Sequence, residues 1–150
     1  MRVSVIGGSS VPERTAAQAQ TVGRLLADRG HTVVCGGLGG VMEAVCRGAR
    51  EAGGETIGIL PTDRPGDANE YVETPIATGL GHARNALVVM NGEAVIAIDG
   101  GPGTLSELGL AGVYDRPIAG LGTHEVGGVT GVKPVDTPEA AVSYVERTHE

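Results

Sequence analysis

Residues 100–108 have the types and spacing needed to hold a phosphorylated ligand and act on it: Gly100-Gly101-Pro102-Gly103-Thr104-Leu105-Ser106-Glu107-Leu108. An apolar run at 94–98 precedes them and a helix-compatible stretch follows, so a buried strand is predicted to lead through a glycine loop into a helix. Such a loop turns backbone N–H groups toward one point, and the positive end of the helix dipole favours a phosphate there. Glu107 lies one turn into the helix, close enough to act on a group attached to the phosphate. The pattern predicts a nucleotide site and leaves open whether the nucleotide is cleaved.

Two other glycine segments, at 7–10 and 36–40, also follow predicted strands. Ligands of open parallel sheets bind beyond the carboxyl ends of the strands, where the strand order reverses. We therefore expect the three loops to share one edge, which a purely structural interaction domain would not explain. The candidate phosphate- or nucleotide-binding residues are Gly7, Gly8, Ser9, Gly36, Gly37, Gly39, Gly40, Gly100, Gly101, Gly103 and Thr104.

Glu107 and Arg84 are the candidate catalytic residues. Cleavage of a ribosyl bond builds positive charge at C1′, and a nearby carboxylate such as Glu107 can stabilise that charge or orient the attacking water. Arg84 would hold the phosphate or ribose through its planar donor fork. Each residue also has a purely structural explanation. Thr104 and Glu107 have the spacing of a capping box, so Glu107 would only cap its helix. Arg84 would be a solvent-exposed arginine on the surface of a helix. His82, two positions away, is predicted to be a surface residue.

Short Val/Ile-rich runs alternate with helical patterns, which predicts a single Rossmann-like α/β domain over residues 1–150. We expect a mostly parallel sheet of about six or seven strands with helices on both faces. Ser10 and Glu13 have the spacing of a capping box on the first helix. Thr137 should cap the last helix, with Pro138 as its first residue. Strands are predicted at 2–6, 32–35, 56–60, 71–74, 94–98, 117–121 and 132–135, and helices at 11–29, 41–52, 79–90, 104–113 and from 138.

Composition excludes several classes of protein. The net charge is −7 and Lys133 is the single lysine, so long nucleic acid is not an expected partner. No apolar stretch approaches the ~20 residues of a membrane span, and the first residues are typical of a strand rather than a signal peptide, which predicts a cytoplasmic protein without a membrane partner. Cys35 and Cys46 lack metal-ligand spacing and are expected to be reduced. No metal site and no cofactor are predicted.

Common nucleotide motifs are missing. No GxxxxGK[ST] segment is present, which excludes a P-loop NTPase at the level of motif. Gly101-x-Gly103-x-x-Ser106 comes near the dinucleotide fingerprint, but it lies in the wrong strand–helix unit and lacks the third glycine. A nicotinamide-dependent dehydrogenase is therefore disfavoured.

The segments GGLGGVMEA at 36–44 and GGPGTLSE at 100–107 resemble the LOG-like (lysine-decarboxylase-like) family of the SLOG superfamily. That family carries a GGxxGxM segment, an Arg on an intervening helix and a PGGxGTxxE signature, and the resemblance covers nearly the whole chain. It implies a phosphoribohydrolase that cuts the N-glycosidic bond of nucleoside 5′-monophosphates, with Arg84 and Glu107 as the essential pair. It also implies a homodimer or larger assembly.

Two residues depart from the family pattern. Asp99 stands in place of the Pro of PGG, and Asn85 follows Arg84 where the cytokinin-activating enzymes usually have Lys. The surrounding segment is more similar to a sister branch that includes molybdenum cofactor carriers, which bind the cofactor or its pterin without known catalysis. The alternative to the hydrolase is therefore a carrier or sensor of a molybdopterin-type cofactor or nucleotide. Decarboxylation, the family's older label, is disfavoured because Lys133 is poorly placed to form a Schiff base.

Overall fold

One parallel sheet of seven strands forms the centre of the molecule, in the order β4-β3-β2-β1-β5-β6-β7. The computed structural model describes residues 1–149. The predicted parallel α/β architecture is confirmed. The strands are β1 (Arg2–Gly7), β2 (Thr32–Cys35), β3 (Thr56–Leu60), β4 (Thr74–Ala77), β5 (Ala94–Ile98), β6 (Ile118–Leu121) and β7 (Val132–Val135).

Helices cover both faces of this sheet, as predicted. Side chains of β1 alternate: Val3 and Val5 pack into the cluster with α1, α2 and α5, whereas Ile6 joins the cluster with α3 and α4. None of the helices within residues 1–149 is long and apolar enough to cross a membrane. The helices are α1 (Glu13–Asp28), α2 (Val41–Glu51), α3 (Asn85–Met90), α4 (Pro102–Val113) and α5 (Pro138–His149), with 3₁₀ helices at Pro65–Asp67 and Gly81–Arg84.

The strand order reverses between β1 and β5. The chain runs outward from β1 to β4 on one side, then returns to place β5 directly against β1. The loops that follow β2, β1 and β5 therefore lie side by side at the carboxyl edge. This is the position at which parallel sheets bind ligands.

Three local predictions outside the glycine loops are wrong. The fourth strand is Thr74–Ala77 rather than 71–74, because the Thr56 hydroxyl donates to the Tyr71 carbonyl at 2.6 Å and accepts the Glu73 N–H at 2.8 Å. The helix predicted at 79–90 is a 3₁₀ turn followed by the short helix α3, and no α-helix begins at 79 because Gly79 and Gly81 have φ of 65° and 60°.

The third error is the cap of α1. Pro12 is the extended N-cap residue and no side chain caps this helix, so Ser10 lies outside the helix and no capping box forms. The cap of α5 is confirmed, because Thr137 Oγ1 accepts the Ala140 N–H at 3.1 Å.

Candidate functional site

The three glycine loops converge on one cavity of about 260 Å³ at the point where the strand order reverses. Its wall combines the loop after β1, the loop after β2 and the start of α4, as predicted. His82 and Arg84 complete it from the 3₁₀ helix. Of the predicted site residues, the cavity is lined by Gly7, Gly8, Ser9, Gly36, Gly101, Gly103, Thr104, Arg84 and Glu107.

Four predicted glycines are not among the residues that line this cavity: Gly37, Gly39, Gly40 and Gly100. Three of them have positive φ, 80° at Gly37, 64° at Gly40 and 125° at Gly100. A side chain on Gly40 would collide with the carbonyl of Gly8, which accepts the Val41 N–H at 3.0 Å. These glycines therefore shape the loops.

The start of α4 decides between the two explanations of Glu107. The helix begins at Pro102 after an extended Gly101 and has no side-chain cap, so Thr104 is its third residue rather than its cap. The capping explanation of Glu107 is therefore wrong. The N–H groups of Gly103 and Thr104 belong to the first turn and have no partner within the helix. Both residues line the cavity.

Arg84 is buried, with 8% of its surface exposed, so the solvated-helix alternative is wrong. Its Nε donates to the carbonyl of Ile59 at 2.9 Å and its Nη2 to the carbonyl of Gly36 at 3.4 Å, while Nη1 donates to Asn85 Oδ1. Two strand ends and α3 thus hold the guanidinium against the second glycine loop. Burial lowers the pKa of Arg84, which the nearby Glu107 partly offsets.

Glu107 is as buried as Arg84, with 7% of its surface exposed. Among residues 1–149, neither side chain takes part in an ion pair. Burial raises the pKa of Glu107 to about 7, because loss of water outweighs the attraction of the Arg84 charge. The cavity therefore holds a carboxyl group that changes protonation state near neutral pH.

Asn85 is a site residue to which sequence reasoning assigned no role. It is 4% exposed, and its Nδ2 donates to Ser106 Oγ at 3.0 Å. The Ser106 hydroxyl donates in turn to the carbonyl of Gly103 at 2.7 Å. The signal in the sequence was the unusual residue after Arg84, but its partners come from a helix distant in the chain.

Asp99 explains the other departure from the signature. Its φ is 53°, a left-handed conformation that proline cannot adopt. The backbone that leads into the third loop is held by Thr123, whose hydroxyl donates to the Asp99 carbonyl at 2.8 Å. The loop therefore begins differently from one that carries Pro at this position.

Cys35 and Cys46 are free, buried thiols whose sulfur atoms lie 3.5 Å apart beneath the second glycine loop. The Gly37 N–H donates to the Cys35 sulfur at 3.3 Å. A hydrogen bond from Cys46 lowers the pKa of Cys35, and the same contact raises that of Cys46. These thiols support the loop from below.

Comparison with known proteins agrees with this geometry. The model of the SLOG cluster4 family matches residues 1–148. The chain belongs to the SLOG cluster4 family. The resemblance to LOG-like SLOG proteins, drawn from the two glycine segments, is thereby confirmed.

Relatives of this SLOG cluster4 protein are of two kinds. An uncharacterized protein of Archaeoglobus fulgidus is 40% identical over 144 residues, covering 96% of this chain and 93% of that one. The cytokinin riboside 5′-monophosphate phosphoribohydrolase LOG5 of Arabidopsis thaliana is 33% identical over 129 residues, covering 78% of this chain and 56% of that enzyme. The chain thus spans about half the length of LOG5.

A solved structure matches over almost the whole length. The molybdenum cofactor binding protein of Rippkaea orientalis superposes with a TM-score of 0.92 at 31% identity, covering 99% of this chain and 97% of that chain. The chain is therefore similar both to a molybdenum cofactor binding protein, over nearly its whole length, and to phosphoribohydrolases, over part of theirs.

Proposed function

We propose that this protein is a nucleoside 5′-monophosphate phosphoribohydrolase that releases a free base and ribose 5-phosphate. The observation that carries the proposal is that Arg84 and Glu107, both buried, line one cavity with the start of α4. The likeness to cytokinin riboside 5′-monophosphate phosphoribohydrolases supports the same reaction. The phosphorylated nucleoside is the partner that this cavity would take.

The phosphate is proposed to lie at the first turn of α4. The free N–H groups of Gly103 and Thr104 would donate to phosphate oxygens, with the helix dipole adding to the attraction. Arg84 would contribute positive charge from the opposite wall. Gly8 and Ser9 would close the cradle from the loop after β1.

Glu107 is proposed to act at C1′ of the ribose. In its ionised form the carboxylate would stabilise the positive charge that develops as the bond to the base breaks, and would orient the water that adds to C1′. As the water adds to C1′, the carboxylate would take the proton that the water loses, and with a pKa of about 7 it could pass that proton to the departing base nitrogen. Cleavage then consumes one water and yields the base and ribose 5-phosphate.

The test is to incubate the protein with a panel of nucleoside 5′-monophosphates and measure free base and ribose 5-phosphate. Glu107→Gln should lower the rate at least ~100-fold, because a charge-stabilising or acid–base group is lost. Glu125→Gln, an exposed glutamate of the loop after β6, is the matched control and should retain the rate. Absence of base release from every monophosphate would refute the hydrolase.

A second candidate is a carrier or sensor that binds a molybdopterin-type cofactor or nucleotide without cleaving it. The nearly complete superposition on the molybdenum cofactor binding protein favours it, since LOG5 is matched over only about half its length. A carrier would bind its ligand intact and would tolerate Glu107→Gln. Titration calorimetry with the same panel, followed by recovery of the ligand, separates this function from hydrolysis.

We further propose a cytoplasmic protein that assembles as a homodimer or larger oligomer. Two free buried thiols are typical of a reducing compartment. On α4, Leu105 and Val113 are 45% and 72% exposed, and no atom lies within 4 Å of a Cβ built on Gly109. An apolar helix face of this kind fits helix–helix contact between copies. Light scattering on the wild type and on Val113→Glu tests the assembly, which a monomeric wild type would contradict.

A further inference from the structure

A chain of side-chain hydrogen bonds links Arg84 to the start of α4. Arg84 donates to Asn85 Oδ1, Asn85 Nδ2 donates to Ser106 Oγ, and Ser106 donates to the carbonyl of Gly103. The Asn85 amide uses its oxygen and one N–H in this chain. It is 4% exposed, so competition from water at the amide is slight.

All three nitrogens of the Arg84 side chain therefore point to partners other than Glu107. Nε and Nη2 donate to backbone carbonyls of Ile59 and Gly36, whose positions are set by the sheet. Nη1 is the only one held by a side chain, and that side chain is Asn85. The bond to Asn85 is thus the one contact of the guanidinium that a single side-chain substitution can remove, and its loss leaves Nη1 free to turn toward another acceptor.

We infer that Asn85 is a positioning residue that holds the Arg84 guanidinium off the Glu107 carboxyl and so keeps both groups unpaired and available to a ligand. The anchor of the amide is Ser106, which fixes its donor end to α4. Glutamine or lysine would not offer the same short link between α3 and α4. The consequence for turnover rests on the proposed function, whereas the titration of Glu107 is measurable in protein without ligand.

The charged and titratable groups around Glu107 are few. Arg84 faces it from the 3₁₀ helix and Cys35 from the end of β2, and His82 lines the cavity at an exposed position. Of these groups, Arg84 is the one that would stabilise the ionised form of Glu107 over the protonated form if it moved closer to the carboxyl. Loss of Asn85 should therefore lower the pKa of Glu107, as an opposite charge at close range does.

The experiment is a ¹³C NMR titration of protein labelled at the glutamate side-chain carboxyl, with the Glu107 signal assigned by its loss in Glu107→Gln. In Asn85→Ala the midpoint of Glu107 should fall by about one pH unit or more. In Asn85→Asp it should not fall, because the new carboxylate retains Arg84 and adds a like charge near Glu107. Ser106→Ala removes only the anchor and should give a smaller fall than Asn85→Ala.

The matched control is Asn91→Ala, which removes an exposed asparagine at the end of α3 that bonds only the Leu87 carbonyl, and it should leave the midpoint unchanged. An unchanged midpoint in Asn85→Ala, or an equal fall in Asn85→Asp, would overturn the inference. If Asn85→Ala does not fold, the variants Ser106→Ala and Asn85→Asp decide. A lower Glu107 midpoint in Ser106→Ala, with no decrease in Asn85→Asp, supports the inference, and any other result overturns it. If wild type cleaves no monophosphate, the hydrolase fails while this titration still tests Asn85.

Discussion

Replacement of Glu107 by Gln is expected to stabilise the folded protein, and by more at alkaline pH than at acidic pH. The wild-type carboxyl is buried in the cavity wall and takes part in no ion pair of residues 1–149. Ionisation of such a group costs the folded state solvation that the unfolded chain retains. Gln keeps the size and polarity of the side chain and removes the ionisation.

The magnitude follows from the pKa. In the folded state the pKa of Glu107 rises from 4.5 to about 7, and each unit corresponds to about 1.4 kcal/mol. Below pH 4.5 the carboxyl is protonated in both states and costs nothing; as pH rises from 4.5 to 7 the unfolded state loses its proton first, so stability falls. Glu107→Gln should thus gain about 1 kcal/mol at pH 5.5 and about 3 kcal/mol at pH 8.

The assay is urea denaturation of both proteins at these two pH values, followed by circular dichroism. All other titrating groups are shared, so they cancel in the difference between the two proteins. At pH 8 the melting temperature should rise by roughly 6–12 °C for a domain of this size. Glu125→Gln, at an exposed position, should change stability by less than ~0.5 kcal/mol at either pH.

The reasoning is refuted if Glu107→Gln is no more stable than wild type at pH 8, or if its advantage does not grow between pH 5.5 and pH 8. The first result would mean that the ionised carboxylate has a partner in solution, such as a rotated Arg84. The second would mean that the group does not titrate in this range.

Three further changes test the cavity wall and the end of α4. Arg84→Lys cannot keep the planar fork, so AMP affinity measured by calorimetry should fall at least ~10-fold, and equal affinity would contradict the role of the fork. Gly36→Ala places a methyl 2.6 Å from Arg84 Nη2 and 2.7 Å from Met42 Sδ. It should lower the free energy of unfolding, measured by urea denaturation, by about 1–3 kcal/mol. In the control Gly101→Ala the new methyl meets no atom within 4 Å, so the loss should be smaller. Asp115 directly follows Tyr114, the C-cap residue of α4, and has φ of 53°, so Asp115→Gly should gain about 1 kcal/mol without a change in AMP affinity; a loss of stability would contradict it.

Much of the fold could be predicted from the sequence because the strands are short, apolar and separated by helical periodicity. Ala94–Ile98 has no exposed residue, as a central parallel strand requires, and its apolar run gave its bounds correctly. The convergence of the three loops could also be predicted from the sequence. In a parallel sheet whose strand order reverses, β5 lies beside β1, and the loops that follow neighbouring strands then share one edge.

Helix starts and side-chain partners could not be predicted in the same way. Thr104 and Glu107 have capping-box spacing, but Pro102 suits the first position of a helix and moves the start of α4 two residues earlier. The role of Asn85 depends on Ser106, which lies 21 positions away. The direction of the Glu107 pKa shift depends on whether burial or Arg84 has the larger effect, and that balance is a property of the folded cavity.

The energetics of Glu107 bear directly on whether it serves the fold or the ligand. A buried glutamate retained for stability would be expected to have the nearest cation as its partner, because an unpaired buried charge is costly. Here the nearest cation, Arg84, is bound to two carbonyls and Asn85. A carboxyl that costs about 3 kcal/mol above pH 7 and pairs with no cation among residues 1–149 would offset that cost only through a bound molecule. This is the pattern expected of a residue that acts on a bound molecule.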